Sequence, residues 1–253
     1  KYNSTMYESE ISCRLVENTS CLEEVIEKKT NDIIEKEENK MFFDLKLKNI
    51  NMLYNKCHGI EKYLTKQGFK DLQKGPGKEH YKLFIALSLQ LKKGKILEIG
   101  THNGNSAVSL SYGKTFGNDI EFNTYDIINL LFKNPKKYFD KYNINYELKN
   151  LFDDTIRKEN KNFILSHDII FIDIDPHEGI LERNMLDWLQ KNNFKGLIIF
   201  DDIHLGLNHR ANNYQATQHK MSDFWKSINN DIKIDITPIG HWSGTGLVSF
   251  NFK

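Results

Sequence analysis

Four apolar segments that each end in an acidic residue constrain this chain most. The first, Lys95-Ile-Leu-Glu-Ile-Gly-Thr-His-Asn-Gly-Asn-Ser-Ala-Val-Ser-Leu110, runs from a strand pattern through Gly100 and Gly104 into a helical pattern. A glycine turn of this kind lets backbone approach a ligand closely and points free helix N–H groups at it. The second segment ends in Asp126, the third in Asp173 and Asp175, and the fourth in the pair Asp201-Asp202. Acids at successive strand ends predict a site on one edge of a parallel sheet, where open α/β sheets hold their ligands.

The spacing around these segments extends the prediction to a doubly wound, mostly parallel α/β sheet of Rossmann-like type. Tyr81–Leu91 carries Leu83, Phe84, Leu87 and Leu91 on one helical face. Strands are expected over Lys95–Ile99, Ile120–Tyr125, Tyr142–Leu148, Asp168–Ile174 and Gly196–Phe200, with helices over Ser106–Tyr112, Ile180–Gln190 and Met221–Ile228. Asp168–Ile174 is continuously apolar, as strands buried on both faces are. Ile232, Ile234 and Ile236 alternate like a strand, and Leu247–Phe252 is the last. A short turn over His241–Thr245, eased by Gly244 and Gly246, would join these two as an antiparallel edge pair.

Residues 1–75 read differently. Leu22, Val25, Ile26, Ile33 and Ile34, then Ile50, Leu53, Ile60 and Leu64, sit at helical spacing among many charges. Gly75-Pro-Gly77 closes this stretch. It is either a helical extension packed on the sheet or a linker, and the domain that follows is 76–253. A homodimer through this stretch stays open, although its heptads are not sustained.

At 253 residues the chain is long enough for one sizeable core. A net charge of +1 gives no electrostatic case for a nucleic-acid partner. No apolar run reaches the about 18 residues of a membrane span. Cys13, Cys21 and Cys57 have no metal-like spacing and fit a reducing, cytoplasmic setting.

This order of elements resembles the class I S-adenosylmethionine (SAM)-dependent methyltransferases over about residues 80–253. The resemblance implies a seven-stranded sheet and a cofactor held by Glu98, Gly100, Thr101, Asn103, Gly104 and Ser106. Asp126 would take the ribose hydroxyls, Phe152 would bracket the adenine, and Asp173 would border the cofactor. Ile172-Asp-Ile-Asp-Pro-His177 and Phe200-Asp-Asp-Ile-His204 resemble the acidic strand ends of metal-dependent O-methyltransferases. Carried over, Asp173, Asp201 and Asp202 would hold Mg²⁺, which favours hard oxygen ligands. Gly240-His-Trp-Ser-Gly-Thr-Gly246 and Phe224-Trp225 resemble methyltransferase domains of large algal DNA viruses, which would place the chain in the host cytoplasm. Those domains accompany glycosyltransferases and methylate deoxyhexoses such as rhamnose on glycans.

The implied activity is SAM-dependent methyl transfer to a sugar hydroxyl. The general base is Asp175, His177 or His241, in that order of preference. His204 and Trp242 would meet the substrate, Trp242 as a stacking platform or as a packed side chain. Asp126 has a second reading as a cap for the helix that follows. The polar stretch Leu205–Lys220 reads as a loop over the site. Three rivals stay open: a metal-independent methyltransferase with a histidine base, a nicotinamide-dependent oxidoreductase, and a SAM- or glycan-binding module without turnover. The oxidoreductase is weakened because the full G-x-G-x-x-G pattern is missing.

Overall fold

The computed structural model describes Leu72, residues 78–205 and residues 220–250. The helical stretches and cysteines expected within 1–75, and most of Leu205–Lys220, lie outside the described residues.

Helix α1, Lys78–Gln90, buries the expected stripe of Leu83, Phe84 and Leu87. Strand β1, Lys93–Ile99, follows it. The sheet continues with β2 (Asp119–Asp126), β3 (Asn145–Leu148), β4 (Ile169–Ile172), β5 (Leu197–Asp201), β6 (Lys233–Asp235) and β7 (Thr245–Val248). Its order is β3-β2-β1-β4-β5-β7-β6. The first five strands are parallel, and β7 runs antiparallel between β5 and β6. The sheet is therefore mixed, with its antiparallel part at one side as the sequence predicts.

Every residue of β4 and β5 is buried, so both faces of these central strands are covered. Their sequences, Ile-Ile-Phe-Ile and Leu-Ile-Ile-Phe-Asp, meet that demand with apolar and β-branched side chains. Leu97, Ile170, Ile172, Ile198, Phe200, Met185 and Leu189 belong to one core with Trp225 and Val248. The remaining helices are α2 (Asn105–Leu110), α3 (Lys133–Tyr142), α4 (Asp154–Glu159), α5 (Lys161–Leu165), α6 (Ile180–Lys191) and α7 (Met221–Ser227).

Two expectations need correction. Tyr142 closes α3 instead of opening β3: Asn143 ends the helix in a left-handed conformation at φ 53°, and Tyr142 packs on Tyr138. The last strand begins at Thr245, and the connection from β6 is longer than the expected turn alone: a 3₁₀ turn at Thr237–Ile239 precedes the turn at His241–Gly244, in which the Gly244 N–H bonds the His241 carbonyl at 3.0 Å. Gly246 is consequently a strand residue. A Cβ there would lie 2.6 Å from the Trp225 ring, so the reason for glycine is space and not turn geometry.

Candidate functional site

The glycine turn follows β1 directly. Gly100 adopts φ +102° and donates its N–H to the Tyr125 carbonyl at 2.8 Å. A Cβ at Gly100 would lie 1.7 Å from the Asp173 carbonyl oxygen, so no side chain fits where the turn crosses the end of β4. Gly104, at φ +88°, ends the turn against Leu131 and Pro135. Asp126 clasps the turn from the end of β2: its Oδ2 accepts the His102 N–H at 2.7 Å, and its Oδ1 accepts those of Ile127 and Ile128. Oδ1 uses both of its lone pairs in these bonds, whereas Oδ2 keeps one, which leaves acceptor capacity toward a ligand hydroxyl.

Behind the turn lies a buried hydrogen-bond chain. The Thr124 hydroxyl donates to Glu98 Oε2, and the Thr101 and Thr124 hydroxyls are 2.5 Å apart. The Thr101 side chain is thus turned inward, which leaves only its backbone to face a ligand. Asn103 Oδ1 accepts the Asn105 N–H within the turn. Glu98 is fully buried and its Oε1 has no hydrogen-bond partner. Burial pushes its carboxyl up to about 8, with the hydroxyls of Ser106 and Thr124 offsetting part of the rise. Phe152 packs against the core after β3. A buried unpaired carboxylate oxygen beside a turn that excludes any Cβ suits a ligand that brings a cation and hydroxyls to this edge.

On the other side of the edge, the adjacent residues Asp201 and Asp202 diverge. Asp201 ends β5 in extended conformation, whereas Asp202 is left-handed at φ 59°. Asp201 Oδ2 lies 3.5 Å from Nδ1 of His80 and 3.5 Å from Nδ1 of His241. Asp202 Oδ2 lies 3.3 Å from His177 Nε2, which also meets Asp175 at 3.1 Å. Potential metal donors accordingly form two groups, His80–Asp201–His241 and Asp173–His177–Asp202. The three carboxylates expected to share magnesium are divided between them, and each group contains nitrogen. Magnesium demands near-octahedral oxygen coordination, so these residues do not fit it as one site.

The electrostatics follow from this division. Burial opposes the Asp201 charge, but His80 and His241 outweigh it and hold the carboxyl well below the usual range. Burial also opposes charge on His241, yet its hydrogen bonds to Asp201 and Asp202 raise the imidazole to about 10. Burial, with Asp201 and Asp202 nearby, pushes Asp173 well above the carboxylate range.

The other expected residues fall as follows. The Asp175 carboxylate is 92 % exposed and engages His177, which leaves His177 as the more enclosed candidate base. His204 is drawn away from the acidic pair to Asp235 at 2.9 Å, and its N–H bonds the Ser243 carbonyl. It therefore ties the end of β5 to the loop before β7. Trp242 is exposed, edge-on to His241 with ring centroids 5.5 Å apart. Two residues of α1 join the site without being anticipated. His80 is stacked on Phe84, and its place with Phe84, Leu87 and Leu91 on an otherwise apolar stripe was the available signal. Tyr81, beside Asp173 and Asn105, is pushed above the tyrosine range by burial and by the Asp173 charge.

No family model matches the sequence, and no curated protein matches it. Solved structures do match the fold. A methyltransferase of Podospora anserina bound to S-adenosylhomocysteine (SAH) is 16 % identical, with 67 % of this chain and 76 % of that chain covered at a TM-score of 0.50. An O-methyltransferase of Bacillus cereus, also with SAH, is 17 % identical over 75 % of this chain and 90 % of that chain, at 0.47. The O-methyltransferase TomG of Streptomyces achromogenes, with SAM, is 15 % identical over 78 % and 88 %, at 0.46. The seven-stranded mixed sheet of this chain has the Rossmann-like methyltransferase fold.

Proposed function

We propose that this chain is a SAM-dependent O-methyltransferase acting on a sugar hydroxyl. One observation carries the reading: Gly100–Gly104, Glu98, Asp126 and Asp173 converge on the C-terminal edge of adjacent parallel strands. That arrangement offers the Asp126 carboxylate to ribose hydroxyls and, in Glu98 and Asp173, buried carboxyls whose charged form a cationic ligand would stabilise. SAM, when bound, supplies an electrophilic methyl group on a sulfonium.

Asp126 would hold the ribose and Phe152 the adenine, while Glu98 and Asp173 face the charged end. Trp242 offers its exposed ring to the apolar face of the acceptor, for which a deoxyhexose such as rhamnose on a glycan is the proposed class. His177 takes the proton as the acceptor oxygen bonds to the methyl carbon and the carbon–sulfur bond breaks. Asp175 and Asp202, both close to His177 Nε2, stabilise the imidazolium that results. No step runs through magnesium, because the carboxylates expected to bind it are divided between two groups.

The test is calorimetry with SAM and SAH, followed by transfer of labelled methyl from SAM to rhamnosides. Micromolar binding of both ligands is expected, with turnover reduced about 10²–10⁴-fold in His177→Ala. Binding without turnover on any sugar would favour a non-catalytic module. No binding of either ligand would overturn the reading.

A further inference from the structure

We propose that His80, Asp201 and His241 form a binding site for one divalent transition-metal ion of the zinc or cobalt class. The proposal concerns metal binding in the chain itself and does not depend on methyl transfer. The three residues come from distant parts of the sequence: the first turn of α1, the end of β5 and the loop before β7. The side chains of His80 and Asp201 are each only 4 % exposed, and that of His241 is 12 % exposed.

The spacing points to an ion. Nδ1 of His80 and Nδ1 of His241 each lie 3.5 Å from the same oxygen, Asp201 Oδ2. The donor atoms of all three residues lie within 4.8 Å of one another. Hydrogen bonds between charged groups close to about 2.7–2.9 Å. A tetrahedral ion bound at about 2.0–2.1 Å instead separates its ligand atoms by about 3.4 Å. The observed separations match the second figure.

Unsatisfied atoms give a second, independent indication. His80 Nδ1 and Asp201 Oδ1 are buried without any hydrogen-bond partner, and so is His241 Nε2. Proton sharing between His241 and the carboxylates would balance the charge of Asp201, yet it would leave His80 Nδ1 and Asp201 Oδ1 unpaired at a cost. A metal ion engages the first of these directly. His241 Nδ1 also meets the Ser243 hydroxyl at 2.5 Å, and this is the hydrogen bond an ion would displace.

The donor set selects the metal. Two imidazoles and one carboxylate suit zinc, cobalt, iron or nickel and not magnesium or calcium. Three protein ligands leave a position open for water or for an oxygen of a bound molecule. Phe84 stacks on the His80 ring and Phe171 meets it edge-on at 6.2 Å, so the ring is held by packing before any ion arrives. Such fixed orientation is what ligating histidines need from their surroundings.

The experiment strips the full chain with chelator and titrates it with Co²⁺, following visible d–d absorption and calorimetric heat. One equivalent is expected to bind with the intense visible bands of low coordination number, displaced by Zn²⁺ but not by excess Mg²⁺. His80→Gln and His241→Gln should each weaken binding at least about 100-fold, whereas His177→Gln, in the other group, should leave it unchanged. Circular dichroism checks that each variant is folded. His80→Cys gives an arm that does not rely on loss: a thiolate ligand adds a sulfur-to-cobalt charge-transfer band, which only direct ligation produces. Absence of Co²⁺ binding, binding unaffected in folded His80→Gln, loss in His177→Gln, or a His80→Cys complex without the new band would each overturn the proposal.

Discussion

Glu98 shows how one side chain can work against the fold and for the site. Its carboxyl is buried and raised to about 8, against an ordinary value near 4.5. A group whose folded pKa is raised favours the folded state only while protonated. That contribution is full below about pH 4.5 and is lost as pH rises through about 8. The free protein should therefore lose stability across this window on account of Glu98. Glu98→Gln keeps a hydrogen-bonding side chain and removes the charge. It should raise the melting temperature at about pH 8.5, by an amount worth about 1–3 kcal/mol, and have little effect at about pH 5. An equal melting temperature for the two proteins at about pH 8.5 would exclude this account. Much at this scale was legible beforehand: Glu98, Gly100 and Gly104 follow from a strand running into a glycine turn, and Asp126 from the acidic end of the next strand. His80 was not, because a pattern search treats the apolar positions of a stripe as core and passes over a polar residue among them. The divergence of Asp201 and Asp202 was not legible either, for a different reason. Sequence places them side by side, but with a left-handed backbone at Asp202 the Asp202 Oδ2 meets His177 while Asp201 Oδ2 meets His80, and His241 Nδ1 lies 3.5 Å from both carboxylates.

Among the elements, β7 has the largest influence on the site and was the least legible. Its register pairs Thr245 with Asp201 and Gly246 with Phe200, so the loop that carries His241 is set by a strand inserted between β5 and β6. The sequence predicts its antiparallel pairing with β6, but carries no information that β7 also inserts beside β5. The parallel strands were easier, since their apolar runs and helical crossovers allow few arrangements. Helix α3 was overlooked because lysines and an early proline mask its short buried face of Tyr138 and Phe139. Gly246 tests the role of β7. A methyl group at this position would press on Trp225 at 2.6 Å and on Ile203 at 3.1 Å. Trp225 belongs to the core, and overpacking of this kind costs about 1–3 kcal/mol. Gly246→Ala should accordingly lower the melting temperature by several degrees, and an unchanged value would mean that α7 shifts freely against the sheet.

The molecule as a whole carries a net charge of only +1, yet its sheet gathers Glu98, Asp126, Asp173, Asp201 and Asp202 on one edge. The repulsion is visible in Asp173, which is raised partly by Asp201 and Asp202. A cationic ligand that reaches this edge relieves the repulsion and binds only the folded chain. Linkage then sets the size of the effect: a ligand at 100 times its Kd stabilises the fold by about 2.7 kcal/mol. For a chain of this length that corresponds to a rise of about 5–10 °C in melting temperature. SAM should produce this shift in the full chain. Asp126→Asn should lose most of it at the same SAM concentration, because an amide replaces the charged acceptor. The SAM-induced shift is read against the melting temperature of the free variant, since an amide that keeps the bond from the His102 N–H gives up those from Ile127 and Ile128. Equal SAM-induced shifts in the two proteins would remove Asp126 from the cofactor site and leave it as the clasp of the glycine turn alone.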